Sequence, residues 1–143
     1  MDFVFVLDGS NSINGTDFKL MKDFVSHLVR RLDIGGDARV GVVTFSSNVD
    51  TTIHLNAATS VASLQSMISS LAQSEGTTNT AAALAHVRTN MLTSAAGDRS
   101  DASDVVVVLT VGKSTNATAT QVIIKFLACF LSERYVTTYR PKI

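Results

Sequence analysis

The chain has 143 residues, of which 45% are hydrophobic and 17% are charged, so it can form one domain with a sizeable core. Its 12 basic and 12 acidic residues balance to a formal net charge of zero, and the absence of a basic run disfavours nucleic acid or an anionic membrane as a partner. The single cysteine, Cys129, excludes an internal disulfide and a cysteine-rich zinc site, and we interpret it as a small buried hydrophobe.

Neither a secretory leader nor a membrane-spanning segment is visible. Met1 leads directly into an apolar strand, without a charged leader or a cleavage site of small residues. The longest apolar region, residues 122–131, contains Lys125 and is too short to span a bilayer. The strand that begins at residue 3 leads us to expect a segment cut from a longer protein or an incomplete gene model.

A strand and a helix open the chain. Residues 3–7 form an apolar run that predicts a buried strand, and residues 17–32 have the spacing of an amphipathic helix. Asn14 or Thr16 is placed to cap the start of this helix. Its predicted apolar stripe contains Phe18, Met21, Phe24, Val25, Leu28, Val29 and Leu32.

Two strands and two helices follow. Residues 39–46 are rich in valine and predict a strand buried on both faces, whereas residues 49–55 alternate and predict an antiparallel partner at the sheet edge. Residues 59–71 and 80–92 predict two amphipathic helices. The polar connector after them, whose charged residues we expect to be solvated, contains Asp98, Arg99 and Asp101.

Residues 104–110 are the clearest strand of the sequence, and their five consecutive apolar β-formers predict a central, parallel position. Strands that alternate with helices predict a doubly wound α/β fold, with a mostly parallel sheet and one antiparallel edge strand. The end of the chain predicts a helix over 118–134 and a short strand over 135–139. We therefore divide the domain into a core, residues 1–118, and a divergent or truncated C-terminal part, residues 119–143.

Polar residues at the end of the first strand are the main candidate for a site. Asp8, Ser10 and Ser12 supply one carboxylate and two hydroxyls at alternate positions. Ligands of open α/β sheets bind at the carboxyl ends of the strands, and hard oxygen atoms suit Mg²⁺ or Mn²⁺. The loops at 75–80 and 110–114 are expected at the same edge, so three loops can converge on one cation. The competing interpretation is a cluster of turn and capping residues.

Four segments resemble the von Willebrand factor type A domain in order and spacing: FVFVLDGSNSI, RVGVVTFSSNV, GTTNTAAAL and DVVVVLTVGKS. The resemblance implies a Rossmann-like fold with a metal-ion-dependent adhesion site, which holds Mg²⁺ or Mn²⁺ at the top of the sheet. Asp8, Ser10 and Ser12 match the family's Asp-x-Ser-x-Ser ligands, and Thr78 matches its threonine ligand. In this family, the open position of the metal typically takes a carboxylate from the partner protein.

The sequence departs from the family in two places. The family usually has Thr-Asp-Gly after the central strand, whereas this chain has Thr110-Val111-Gly112, so Val111 replaces an aspartate that supports the metal. Loss of such a partner typically costs about 10–100-fold in metal affinity, and we expect weakened metal binding. Residues 125–143 do not match the family's C-terminal pattern.

The resemblance implies a non-enzymatic adhesion module, extracellular or secreted, that binds collagen or another matrix protein. The charge balance and the short apolar region predict that it neither binds nucleic acid nor inserts into a membrane. Neutral hydroxyls leave a cation undercharged and favour an incoming carboxylate, and no general base is evident beside them. One alternative is a metal-independent scaffold of the same type, because of Val111. Another is a phosphate-handling α/β enzyme that uses Asp8, for which Gly112-Lys113-Ser114 resembles only the tail of a phosphate loop.

Two glycosylation sequons are present, Asn14-Gly15-Thr16 and Asn116-Ala117-Thr118. Both require a secreted parent protein. A glycan on Asn14 would lie close enough to the cation loop to hinder a partner.

Overall fold

A five-stranded sheet organises the part of the chain that the computed structural model describes, which is residues 1–110 and one later strand. The strands are β1 (Asp2–Asp8), β2 (Arg39–Phe45), β3 (Val49–Ile53), β4 (Asp104–Leu109) and β5 (Val136–Tyr139). Their spatial order is β3-β2-β1-β4-β5, and every neighbouring pair is parallel except β2 and β3. The predicted α/β class, the mostly parallel sheet and the antiparallel edge strand are confirmed.

Helices cover both faces of this sheet. They are α1 (Gly15–Val29), α2 (Val61–Ser69) and α3 (Thr80–His86), and a π-helical turn (Val87–Met91) continues α3. Residues of α1 and α2 share one hydrophobic core, and residues of α3 and the π-helical turn belong to a second core on the opposite face.

Strand β1 contributes to both cores. Successive side chains of a strand point to opposite faces, so Phe5 and Leu7 join the core under α1 and α2, whereas Val4 and Val6 join the core under α3. All four are fully buried. Burial on both faces explains why this strand has a continuous apolar run rather than an alternating one.

Helix α1 begins and ends earlier than the sequence predicts. Asn14 caps it, because the Asn14 side chain accepts a hydrogen bond of 2.8 Å from the backbone N of Asp17. The prediction that Phe24 belongs to the apolar stripe is wrong, since Phe24 is 48% exposed. It lies about 100° around the helix from the buried Val25, and this rotation carries its ring to the outer side.

The prediction that Asp98 and Arg99 are solvated is also wrong. Asp2 is fully buried at the start of β1, and the Arg99 guanidinium contacts it through Nη2, 2.6 Å from Asp2 Oδ1. A buried carboxylate requires such a partner. The hydrogen bond to Asp2 raises the pKa of Arg99 above its ordinary value. Asp98 is half-buried, and only Asp101 is exposed.

Several predictions concern residues outside the described part of the chain. Val111, Asn116, Cys129 and the helix over 118–134 lie there, so these predictions stay predictions, as does the division after residue 118. The predicted final strand is confirmed as β5. Among the described helices, none has the length and apolar character needed to cross a membrane.

Candidate metal centre

The parallel strands of the sheet bring three chain segments to one edge. β1 lies between β2 and β4 and is parallel to both, so the carboxyl ends of these strands are neighbours. Asp8 ends β1, Ser46 follows β2, and Thr110 follows β4. The first residue after β1 is still bonded to β2, because Gly9 N donates to the backbone oxygen of Phe45 at 2.7 Å.

Three hydroxyl oxygens meet at this edge. Ser10 Oγ lies 2.7 Å from Ser12 Oγ, Thr78 Oγ1 donates to Ser10 Oγ at 2.9 Å, and Ser12 Oγ lies 3.4 Å from Thr78 Oγ1. We call these three oxygens the hydroxyl triangle. Ser10 and Thr78 are buried, whereas Ser12 is exposed, so the triangle reaches solvent at its Ser12 corner.

The size of the hydroxyl triangle is comparable with the coordination shell of a divalent cation. Mg²⁺ binds oxygen ligands at 2.0–2.1 Å, which places adjacent octahedral ligands about 3 Å apart. Ca²⁺ binds at 2.3–2.6 Å and would separate such ligands by about 3.3–3.7 Å. Two edges of the triangle, 2.7 and 2.9 Å, are shorter than Ca²⁺ requires. These two edges are also ordinary O–H···O hydrogen-bond lengths, and the third edge, 3.4 Å, lies in the Ca²⁺ range, so the triangle offers three oxygens to a divalent cation without defining which one.

Asp8 supplies the negative charge next to the hydroxyl triangle. It is fully buried, its Oδ1 accepts a hydrogen bond of 2.9 Å from Ser10 N, and its Oδ2 accepts one of 2.6 Å from Thr110 Oγ1. Each carboxylate oxygen has a second lone pair, so Asp8 keeps capacity for a cation or for a water on that cation. All four residues that the sequence predicts as ligands are thus joined in one hydrogen-bonded cluster.

The loop that carries Thr78 is tied to the loop that carries Ser10 and Ser12. Asn11 N donates to the backbone oxygen of Gly76 at 2.9 Å, and Gly76 N donates to Asn11 Oδ1 at 3.2 Å. Gly76 has φ 139°, a conformation that side chains rarely adopt, and an added Cβ would lie 2.6 Å from Ser47 Oγ. Glycine at position 76 is therefore favoured by its backbone conformation and by its closeness to Ser47, which follows β2.

The residues on either side of Thr78 are anchored to the end of β2. Thr77 N donates to Ser47 Oγ at 3.0 Å, and Asn79 N donates to the backbone oxygen of Ser46 at 2.8 Å. The Asn79 side chain also caps α3 by accepting from Ala82 N. These anchors hold the backbone on both sides of Thr78.

Sequence reasoning missed three contributions to this centre. It identified the loop after β4 but assigned no role to the Thr110 hydroxyl, which bonds Asp8. It treated Ser47 as a turn residue and did not consider Asn11. Their positions could have identified Ser47 and Thr110, since both follow strands parallel to β1 and therefore lie at the same edge of the sheet.

Comparisons with known proteins identify the family of this chain. The family model of the von Willebrand factor type A domain matches residues 2–129. Integrin alpha-X of Mus musculus is 38% identical over 112 residues, covering 78% of this chain and 10% of the integrin. Matrilin-1 of Homo sapiens is 34% identical over 114 residues, covering 79% of this chain and 23% of matrilin-1. This chain thus spans less than a quarter of either relative.

Solved structures give the same fold. Proximal thread matrix protein 1 (PTMP1) from the mussel byssus superposes with a TM-score of 0.87 at 29% identity, covering 96% of this chain and 36% of that chain. A second structure of the mussel protein, described as having a zinc occupied MIDAS motif, has a TM-score of 0.83 at 24% identity, with 96% and 34% covered, and supports the fold. Because the family model covers most of its length, this chain belongs to the von Willebrand factor type A domain family.

Proposed function

We propose that this chain is a non-enzymatic protein-binding module that takes a carboxylate of its partner through Mg²⁺ or Mn²⁺. Ser10, Ser12 and Thr78 would hold the cation, with Asp8 beside them. The observation that carries the proposal is the hydroxyl triangle, whose edges of 2.7, 2.9 and 3.4 Å bracket the spacing of Mg²⁺ ligands. Direct contact between Asp8 and the ion stays a prediction.

The charge of the centre favours an anionic ligand. Three neutral hydroxyls and the single carboxylate of Asp8 offset half of a divalent charge, so a positive charge would remain. A bound cation would supply a Lewis-acidic position for a carboxylate oxygen. Ser12 is the exposed corner of the hydroxyl triangle, so a partner reaches the centre from that side.

The proposed partner is an extracellular protein such as collagen or another matrix component. The integrin and matrilin relatives support this setting, because they are cell-surface and matrix proteins. The sequence also lacks the basic run that nucleic acid or an anionic membrane would require.

The test is adhesion of the full chain to collagen-coated and other matrix-coated surfaces in Mg²⁺, in Mn²⁺ and in EDTA. Binding is expected in either ion, and it should be lost in EDTA and in the Ser10→Ala variant. Ser66→Ala, a change of an exposed serine on α2, is the matched control and should bind as the native chain does. Binding that persists in EDTA and in Ser10→Ala would exclude the metal-mediated form.

One observation favours a second candidate, a metal-independent interaction domain. The three hydroxyls hydrogen-bond to one another, so the cluster is internally satisfied without an ion. This candidate predicts that neither Mg²⁺ nor Mn²⁺ raises the melting temperature.

The geometry of Asp8 weighs against a phosphate-handling enzyme. Both carboxylate oxygens of Asp8 accept hydrogen bonds from the chain itself, which lowers their reactivity as a nucleophile. Turnover of a generic phosphate ester that disappears in Asp8→Asn would revive that alternative.

A further inference from the structure

The sequon Asn14-Gly15-Thr16 lies at the start of α1, and all three of its residues are exposed. Asn14 is the N-cap residue, and Gly15 and Thr16 are the first two residues of the helix. Oligosaccharides are added to asparagine in the pattern Asn-X-Ser/Thr, and their bulk requires a site on the surface of the folded protein. This sequon has both the pattern and the surface position.

The two polar atoms of the Asn14 side chain have separate tasks. Oδ1 accepts a hydrogen bond of 2.8 Å from Asp17 N and so caps α1, whereas Nδ2 donates to Asp17 Oδ2 at 2.9 Å in an exposed position. An amide that carries a sugar on its nitrogen keeps the carbonyl oxygen on which the cap depends. The fold therefore tolerates a glycan on Asn14 without loss of the helix cap.

A cavity of about 430 Å³ offers room for the first sugar, and we call it the side cavity. Its volume is within the range of pockets that hold small ligands. Asn14 is part of its wall, so a sugar bonded to Nδ2 starts at the cavity itself. The wall also contains amide and carboxylate groups, with which sugar hydroxyls can form hydrogen bonds. The residues that supply these groups are Asn11, Gln73 and Glu75.

We infer that Asn14 carries an N-linked glycan that covers the side cavity and restricts which partners reach the candidate metal centre. Ser12, the exposed corner of the hydroxyl triangle, lies in the chain between Asn11 and Ile13, which both line the cavity. A glycan here therefore stands beside the side from which a partner approaches. The restriction rests on the proposed function, whereas the glycan itself requires passage through the secretory pathway, which the proposed extracellular setting provides.

The modification is a transfer from a lipid-linked oligosaccharide to the Asn14 amide. Nδ2 forms a bond to C1 of the first N-acetylglucosamine, and the bond between C1 and the oxygen of the lipid pyrophosphate breaks. The nitrogen loses one proton, and the pyrophosphate leaves with the bonding electrons. Both oxygens of the Asp17 carboxylate and Oδ1 of Asn14 are unchanged by this step.

Occupancy is tested on the full chain, secreted from cultured animal cells behind a cleavable leader. The mass of the peptide that contains Asn14 is measured before and after treatment with a peptide-N-glycosidase. A glycan is expected on the native chain and on Thr16→Ser, which keeps the sequon, and it should be absent from Thr16→Ala, which removes the sequon but keeps the cap. The Asn116→Gln background separates this glycan from one at the second sequon. An unmodified Asn14 in the secreted native chain would overturn the inference.

The restriction is tested in the Asn116→Gln background by adhesion of the secreted chain, with and without Thr16→Ala, to the matrix-coated surfaces in Mn²⁺. Loss of the glycan should raise the association rate by about tenfold, at the low end of the variation among variants of one interface. Thr16→Ser should behave as the chain with its native sequon does. Isothermal titration with Mn²⁺ should give equal affinities for the glycosylated and the unglycosylated chain, because a small ion passes the sugar.

Equal association rates of the glycosylated and the unglycosylated chain would overturn the restriction while the proposed function stands. If neither chain adheres in Mn²⁺, or both adhere equally well in EDTA, the proposed function fails and the restriction fails with it. The mass measurement decides the presence of the glycan in either case.

Discussion

Ser10 Oγ and Thr78 Oγ1 lie 2.9 Å apart, although 68 positions separate them in the chain. The contact joins the loop after β1 to the residues before α3. It exists because Asn11 and Gly76 tie the two loops by backbone and side-chain hydrogen bonds. The hydroxyl triangle is therefore set by loop anchors that do not themselves belong to it.

The Thr110→Val variant tests whether the Thr110 hydroxyl holds Asp8 in place at the metal centre. The variant removes the hydroxyl that donates to Asp8 Oδ2 at 2.6 Å and preserves the side-chain shape. Removal of an outer partner of a metal site should weaken Mn²⁺ affinity by about tenfold or more. Isothermal titration with Mn²⁺ measures the change. Thr89→Val, at an exposed threonine, is the control, and an unchanged affinity in Thr110→Val would show that the hydroxyl does not support the centre.

The Val111→Asp variant tests whether the valine that replaces the family's aspartate weakens metal binding. Restoring the carboxylate should raise Mg²⁺ or Mn²⁺ affinity by about 10–100-fold, because it returns an acceptor for metal-bound water. The same titration measures the gain, and Val111→Asn separates hydrogen bonding from charge. A Val111→Asp affinity equal to that of the native chain would mean that the substitution at this position does not limit metal binding.

Arg99→Ala tests the ion pair at the opposite edge of the sheet. The variant leaves the buried Asp2 carboxylate without its guanidinium partner. The free energy of unfolding should fall by about 2 kcal/mol. This loss is smaller than that for a fully enclosed ion pair, because the Arg99 side chain is partly exposed. Urea denaturation measures this loss. Lys19→Ala, which removes the exposed pair with Asp23, should produce no measurable change. Equal effects of the two variants would contradict this account.

His86 predicts a pH dependence of stability. Its ring bonds Thr52 Oγ1 at 2.9 Å and Asn90 Nδ2 at 2.8 Å. Burial, and then the nearby His54, lower the pKa of His86 below 6.5. The unfolded chain therefore binds more protons than the native chain near that pH. The contribution of neutral His86 to the free energy of unfolding is complete above pH 6.5 and declines as the pH falls below it.

The urea concentration at the midpoint of unfolding, measured at one pH above 6.5 and at one pH below it, reports the effect of His86. His86→Gln should reduce the difference between the two midpoints, whereas His27→Gln, at an exposed histidine, should not. A difference that is identical in His86→Gln and in the native chain would assign the pH dependence to other groups.

The residue pattern alone was sufficient to predict the sheet and two corners of the hydroxyl triangle, Ser10 and Ser12. β1 is buried on both faces, so its apolar run was unambiguous, and Asp8, Ser10 and Ser12 follow it directly. The parallel sheet then required later loops to emerge at the same edge. Thr78 was predicted through the family resemblance, because a threonine before a helix is otherwise an ordinary residue.

Other features depend on contacts between distant residues. Arg99 occupies a polar connector, and only the fold shows that the connector returns to Asp2, 97 positions away. Phe24 satisfied the helical spacing, yet it is 48% exposed and does not belong to the core under α1. Gly76 carried no helical or strand signal, and its role follows from its φ of 139° and from the proximity of Ser47.

Thermal unfolding of the native chain, Ser10→Ala and Thr78→Val in Mg²⁺, Mn²⁺ and EDTA tests the central claim most directly. At about ten times the dissociation constant, a cation should stabilise the native chain by about 1.4 kcal/mol, or roughly 4 °C in melting temperature. Both variants should lose this shift when each is compared with its own melting temperature in EDTA, which itself should fall because each variant removes a buried hydrogen bond. An ion-induced shift of equal size in all three proteins, or no shift in the native chain at saturating ion, would contradict the assignment of a cation to the hydroxyl triangle.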